Sequence, residues 1–272
     1  MILRPESLSP LSNTTFVSAW EAVAHAEKSI SKSYGLVRQP DHARLSGQIA
    51  EQLAIAGAPS VDDDIVAGIS LHDEGWKPFD EGRERLSATP ATYTLDNLAL
   101  NAEGKPLSFL EICAGDFLRA WRASIDTAEA VAPIAGLIVS EHFCRLGRFG
   151  VSMGGYSDED AQSVREFLAC EKRRWEQLLP LQSRQENEVR YWTDVLQFCD
   201  LLSLYLCCGS DANVEFPQRI GPHGEMIRLQ LQEEKKLLLP RIFGDEVNFE
   251  VEARAYPAAK CRPLSRFNWR LV

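Results

Sequence analysis

Five polar residues fall inside apolar helical stripes. His42 shares steps of three and four with Leu45, Ile49 and Leu53, while His72 and Asp73 continue a stripe set by Ile65 and Ile69. His142 follows Ala135 and Ile138 in the same way, and Asp200 interrupts an apolar run from Leu196 to Leu204. An ionised aspartate in such a run costs several kcal/mol unless something pairs with it. Histidines facing the same core could bond it directly. They could also share a metal with it, because borderline divalent ions take imidazole nitrogen and carboxylate oxygen together. The adjacent pair His72-Asp73 would supply two ligands from one point, and the set would come from separate helices, as in bundle-core sites. The competing reading of each residue alone is a satisfied core histidine or a hydrogen-bonded aspartate. His25 and His223 lie in weakly patterned segments and read as surface or loop residues.

The elements that must hold these residues read mostly as helices. One possible helix covers about 18–32. The next starts at Gln39-Pro40-Asp41, where proline suits a first turn and aspartate suits the positive helix end, and runs to about Ala56. Ser60 and Asp62 to Asp64 signal another start, with that helix reaching Glu74 and stopping at Gly75. The stretch 76–106 is rich in Pro, Gly, Thr and Asn and reads as an ordered loop or lid, anchored by Trp76, Phe79 and Tyr93. Helical patterns resume at about 108–124, 127–146, 157–179 and 184–208. Beyond Gly209 the period becomes two. Ile227, Leu229 and Leu231 alternate with polar residues, Leu237–Leu239 forms a short apolar run, and Val247 to Ala253 alternates again. The expectation is a mainly α single domain over 1–272, with a helical core at about 39–208. A small antiparallel β appendage follows at about 220–256. Its strands would close over the site or form an interface of a homo-oligomer.

With 39 acidic against 29 basic residues and a net charge of -10, the chain has no global attraction for nucleic acid polymers or anionic membranes. A phosphate-bearing substrate would need local cations. Seven scattered cysteines without C-x-x-C spacing suggest free thiols in a reducing compartment. No apolar run approaches the roughly 18 residues of a membrane span, and the start lacks the pattern of a signal peptide. Cytoplasmic localisation is expected.

The order His42, His72-Asp73 and a distant Asp200 resembles the H…HD…D signature of the HD superfamily of metal-dependent phosphohydrolases. The strings Asp41-His42-Ala43, Leu71-His72-Asp73-Glu74-Gly75-Trp76, Ser140-Glu141-His142 and Phe198-Cys199-Asp200 resemble an uncharacterised bacterial domain-of-unknown-function family with an HD-like core. So does Leu239-Pro240-Arg241-Ile242-Phe243 with the strand after it. The resemblance covers nearly the whole chain from Gln39. It implies an HD-like helical bundle in which His42, His72, Asp73 and Asp200 bind a divalent transition metal (Mn, Ni, Co, Zn or Fe), as one or two ions. It also implies that His142 binds a second metal or a substrate phosphate. Many HD enzymes carry a lysine three residues after the dipeptide's aspartate; here Glu74, Gly75 and Trp76 follow Asp73, and Lys77 comes one place later.

The implied activity is hydrolysis of a phosphoester in a small, nucleotide-like molecule, with metal-activated water as nucleophile. Asp73 would ligate and handle the proton. Arg44, Lys77 and Arg145 lie near the ligands in sequence and would stabilise phosphate charge, or else be solvated surface cations. Trp76 and Phe79 would wall the pocket or pack the core. Two other classes fit the same residues. One is a di-iron oxygenase of the HD type, and the other is a non-catalytic module that binds metal or nucleotide.

Overall fold

The structure is a computed structural model that describes residues 1–11, 15–59, 61–182, 184–232, 235–257 and 264–272. In chain order the described helices are α1 (Ala19–Lys28), α2 (Gln39–Glu51), α3 (Asp63–Leu71), a single turn α4 (Lys77–Asp80), α5 (Ala114–Val131), α6 (Pro133–Ser152), α7 (Asp158–Leu178) and α8 (Glu186–Cys208). Three 3₁₀ turns join them, at Glu74–Trp76, Phe109–Glu111 and Leu179–Leu181. The described strands are β1 (Ile2–Pro5), β2 (Val17–Ser18), β3 (Tyr34–Val37), β4 (Thr92–Tyr93), β5 (Ala99–Leu100), β6 (Val214–Glu215), β7 (Arg228–Gln232), β8 (Lys235–Leu239), β9 (Val247–Tyr256) and β10 (Leu264–Leu271).

The β structure is larger than an appendage. Eight strands form one sheet in the order β1-β3-β9-β10-β8-β7-β6-β2, and β4 and β5 make a separate hairpin in the 76–106 loop. The main sheet is mixed, because β10 runs parallel to β8 and β2 parallel to β6. The fold is therefore mixed α/β, about half helical with a large eight-stranded mixed sheet, and not mainly α with a small C-terminal antiparallel extension. Sequence periodicity missed this because β1, β2 and β3 are only two to four residues long, too short to show alternation. β2 pairs with β6 and β3 with β9, each more than 150 residues away, as in Tyr34 opposite Tyr256, and β1 reaches the sheet through β3. β9 keeps the expected alternation, with Phe249, Val251 and Ala253 buried and Asn248, Glu250 and Glu252 exposed.

Several helix ends differ from expectation for local reasons. The break between α5 and α6 lies at Ala132-Pro133, where proline occupies the first turn of α6; the expected break near 124–127 overlooked that signal. α3 is capped by Asp62, which accepts from the Ile65 N–H at 3.1 Å, while Ser60 lies outside the described residues. The 3₁₀ turn at 109–111 precedes α5 and carries a capping box between Ser108 and Glu111.

Helix and sheet layers are joined at Arg4 of β1. Its guanidinium donates to Leu206 O at 2.9 Å, at the C-terminal end of α8, and lies 4.1 Å over the Phe267 ring of β10. α2 packs between α3 and α8 and against β9. This buries His42 and sets the centre at the junction of α2, α3, α6 and α8.

Candidate metal centre

Each residue of the centre is placed by its own helix. His42 lies on the buried face of α2 with Leu45 and Ile49. His72 is the last residue in helical conformation after α3, and Asp73 leaves it at φ -118, ψ 18, so the chain turns directly behind the pair. His142 sits on the buried face of α6 and Asp200 on α8 among Phe198, Cys199, Leu201 and Leu202. Two glycines allow this closeness. A Cβ on Gly47 would lie 1.8 Å from Ser70 Oγ and 2.9 Å from Ser70 Cβ, so α2 and α3 meet only because it is absent. A Cβ on Gly75 would lie 2.0 Å from the Ala120 carbonyl oxygen, and the Gly75 N–H donates to Ser124 Oγ at 2.9 Å. That contact pins the turn behind Asp73 onto α5.

The five side chains converge as the stripes predict. His42, His72 and Asp73 offer ligand atoms within 4.8 Å of one another, and so do His72, His142 and Asp200. His42 Nε2 is 2.8 Å from Asp73 Oδ2. His72 Nε2 is 3.4 Å from Asp200 Oδ1 and 3.8 Å from Asp73 Oδ2, and His142 Nε2 is 3.8 Å from Asp200 Oδ2. The three rings meet edge to face in sequence, with centroids 5.1 Å and 5.5 Å apart. The histidine side chains are almost wholly buried. The carboxylates of Asp73 and Asp200 remain 11% and 13% exposed, so the acidic side of the centre meets solvent.

The hydrogen bonds among the described residues leave two ring nitrogens of the centre without a partner. His72 Nδ1 donates to Ile69 O at 2.7 Å, which turns Nε2 toward the two carboxylates. Nε2 nevertheless has no hydrogen-bond partner among the described residues, and His142 Nδ1 has none either. Burial opposes charge on His72, but Asp73 and then Asp200 outweigh it and raise its pKa to about 9. Burial, with His72 nearby, lowers His142 to about 4, leaving a neutral imidazole able to ligate. Burial works against the Asp200 charge as well, yet His72 and the other two imidazoles hold it at about 2. A proton on His72 Nε2 supplies the needed charge without reaching an acceptor in good geometry. A divalent ion between three imidazoles and two carboxylates supplies the charge and uses the lone pairs. The residues present fit such an ion.

The expected phosphate-binding cations are near the centre but engaged. Arg44 pairs closely with Asp41 and lies 3.8 Å from Glu74. Lys77 bonds the same Glu74 at 2.5 Å. Arg145 reaches Glu141 at 3.2 Å, Asp194 at 2.5 Å and Gln197 at 2.9 Å. Trp76 is buried edge to face on Phe79, with Arg119 over Phe79, so this pair packs the lid. His25 on α1 and the exposed His223 stay outside the two ligand groups. The six described cysteines are free, and Cys261 lies outside the described residues.

Sequence reasoning missed the serines behind His42. Ser203 Oγ is 2.8 Å from His42 Nδ1, and Ser46 Oγ is 2.8 Å from Ser203 Oγ. Their signal was present: Ser46 is four residues after His42 and Ser203 three after Asp200, both small polar residues inside apolar stripes.

Comparison with known families matches residues 27–257 of the 272 to the family described as "Protein of unknown function (DUF3891)". The chain belongs to this family. The match confirms an uncharacterised domain family over most of the chain and assigns it no activity. No curated protein and no solved structure matches. No helix among the described residues is long and apolar enough to cross a membrane.

Proposed function

We propose that the centre binds one or two divalent transition-metal ions and that the protein is a hydrolase of the HD type, acting on a small phosphoester. The observation that carries the metal reading is His72 Nε2. It is buried, its tautomer is set by Ile69 O, and it faces two carboxylates with no hydrogen-bond partner. His42, His72, Asp73, His142 and Asp200 would hold the metal. Two carboxylates balance the charge of one divalent ion in a poorly solvated site. When bound, the metal supplies an acidified water and a Lewis-acid contact for a phosphoryl oxygen. Asp73, with an oxygen 2.8 Å from His42 Nε2 and partly open to solvent, holds or moves the proton of the attacking water. Arg44, Lys77 and Arg145 stabilise phosphate charge by exchanging their present carboxylate partners for the substrate.

That exchange is also the observation that favours a second reading. Because all three cations are paired with acids, the centre also suits a module that binds metal or nucleotide without turnover. Purified protein loaded with Mn, Co, Ni or Zn and tested on a phosphoester panel separates the two. The hydrolase reading expects metal-dependent turnover that His72→Ala abolishes. Full metal content with no turnover across the panel would overturn it in favour of the module. Iron in the protein as purified, with oxygen consumption, would instead direct the work to the di-iron oxygenase class.

A further inference from the structure

Behind His42, on the side away from Asp73, two hydroxyls are sealed in the core. Ser46 and Ser203 are both fully buried. Ser203 Oγ lies 2.8 Å from His42 Nδ1, 2.8 Å from Ser46 Oγ and 2.8 Å from Asp200 O. Ser46 Oγ lies 3.0 Å from His42 O and 3.3 Å from Cys199 O. Helical serines often bond a carbonyl three or four residues back, and each of these could be satisfied that way alone. Local bonding does not account for the two meeting across α2 and α8, nor for the contact of Ser203 with the one imidazole of α2.

A hydroxyl has one proton to give and two lone pairs to accept with. If Ser203 donates to Asp200 O, its lone pairs receive the Nδ1–H of His42 and the O–H of Ser46. His42 then carries its proton on Nδ1 and turns the Nε2 lone pair toward Asp73 and His72. If Ser203 instead donates to Nδ1, His42 is protonated on Nε2, bonds Asp73 directly and cannot ligate there. Both arrangements use every donor, since in the second Ser46 can give its proton to His42 O or Cys199 O; the first is the one a metal ligand needs, because the bond made by the far nitrogen sets which nitrogen faces the ion.

Resting on the metal reading above, we infer that Ser203, backed by Ser46, is a positioning residue that holds the His42 Nδ1–H and so presents the Nε2 lone pair to the ion. The same hydroxyl bonds the backbone of Asp200, so it ties two ligand-bearing helices together. A metal-free protein uses the second arrangement, and rotation of one hydroxyl proton accommodates both.

The test compares the full chain with Ser203→Ala, Ser203→Thr and Ser46→Ala. Zn²⁺ affinity is read by chelator competition, and the metal-free melting temperature reports folding. Nitrogen NMR of the Zn²⁺-loaded wild type reports which His42 ring nitrogen carries the proton. The expected results are a protonated Nδ1, a roughly 10–100-fold loss of Zn²⁺ affinity in Ser203→Ala, recovery of most of that loss in Ser203→Thr, and a smaller loss in Ser46→Ala. A folded Ser203→Ala with wild-type Zn²⁺ affinity would overturn the inference and leave the metal reading standing. Should Ser203→Ala fail to fold, the wild-type NMR signal decides, since a bare Nδ1 overturns the inference whatever the variants do. Wild-type protein that binds no Zn²⁺ overturns both readings.

Discussion

Asp116 on α5 and Asp200 on α8 are both held near pKa 2 in settings where burial works against their charge, and they get there by opposite means. Asp116 is fully buried and receives the N–H groups of Ser87 (2.8 Å), Ala88 (3.0 Å) and Thr89 (2.7 Å), with the Ser87 hydroxyl and Arg119 besides. Asp200 receives no hydrogen bond of ordinary geometry among the described residues and depends on imidazoles 3.4–3.8 Å away. Backbone donors cannot leave Asp116. Imidazoles can give up a proton and take a metal in its place. This chain satisfies a buried carboxylate completely where it pins a loop, and leaves one short of donors among side chains that could hold a cation.

The sharpest way to break the comparison is Asp116→Ala. It strands three N–H groups and a guanidinium, so unfolding free energy should fall by about 3–5 kcal/mol, with faster hydrogen exchange at 87–89 and unchanged metal affinity in the folded fraction. A loss under about 1 kcal/mol in urea titration would mean that those bonds do not hold the loop. Glu27 gives the next effect. It is fully buried, accepts from Leu3 N at 2.8 Å and Ser108 Oγ at 2.6 Å, and burial pushes it up to about 7 from an ordinary 4.5. The native state therefore holds this proton more tightly than the unfolded chain. The stability that Glu27 contributes is full below about pH 4.5 and is lost as pH rises through about 7, a change of about 3 kcal/mol. Glu27→Gln should flatten that part of the stability curve in denaturant titrations at pH 5 and pH 8; an unchanged slope would remove Glu27 as its source. Arg44→Ala should be the smallest change. Its pairs are half exposed and worth less than about 1 kcal/mol, so melting should hardly move. A several-fold fall in phosphoester turnover would then assign Arg44 to the substrate.

The centre was more legible than the frame around it. His42, His72, Asp73, His142 and Asp200 could be read because each interrupts a helical stripe, and a stripe fixes the direction of a side chain without knowledge of its partners. The structure brings all five together. The serines behind His42 were harder to see, since a buried serine resembles any small core residue until its neighbour across the helix pair is known. The sheet was misjudged for the same reason at larger scale. β3 gains its meaning only from β9, some 220 residues later, with β1 held in turn by β3, and no local window contains the pairing of β3 with β9. Glu27 and Asp116 are likewise defined by contacts from other segments, Leu3 and Ser108 in one case and the 87–89 loop in the other.

The most direct test of the account is elemental analysis of the purified protein beside His72→Ala, with no metal or chelator added. The account predicts one or two equivalents of a transition metal in the wild type and little in the variant, since His72 belongs to both ligand groups. Equal metal content in the two proteins, or none in the wild type even after reconstitution, would contradict it.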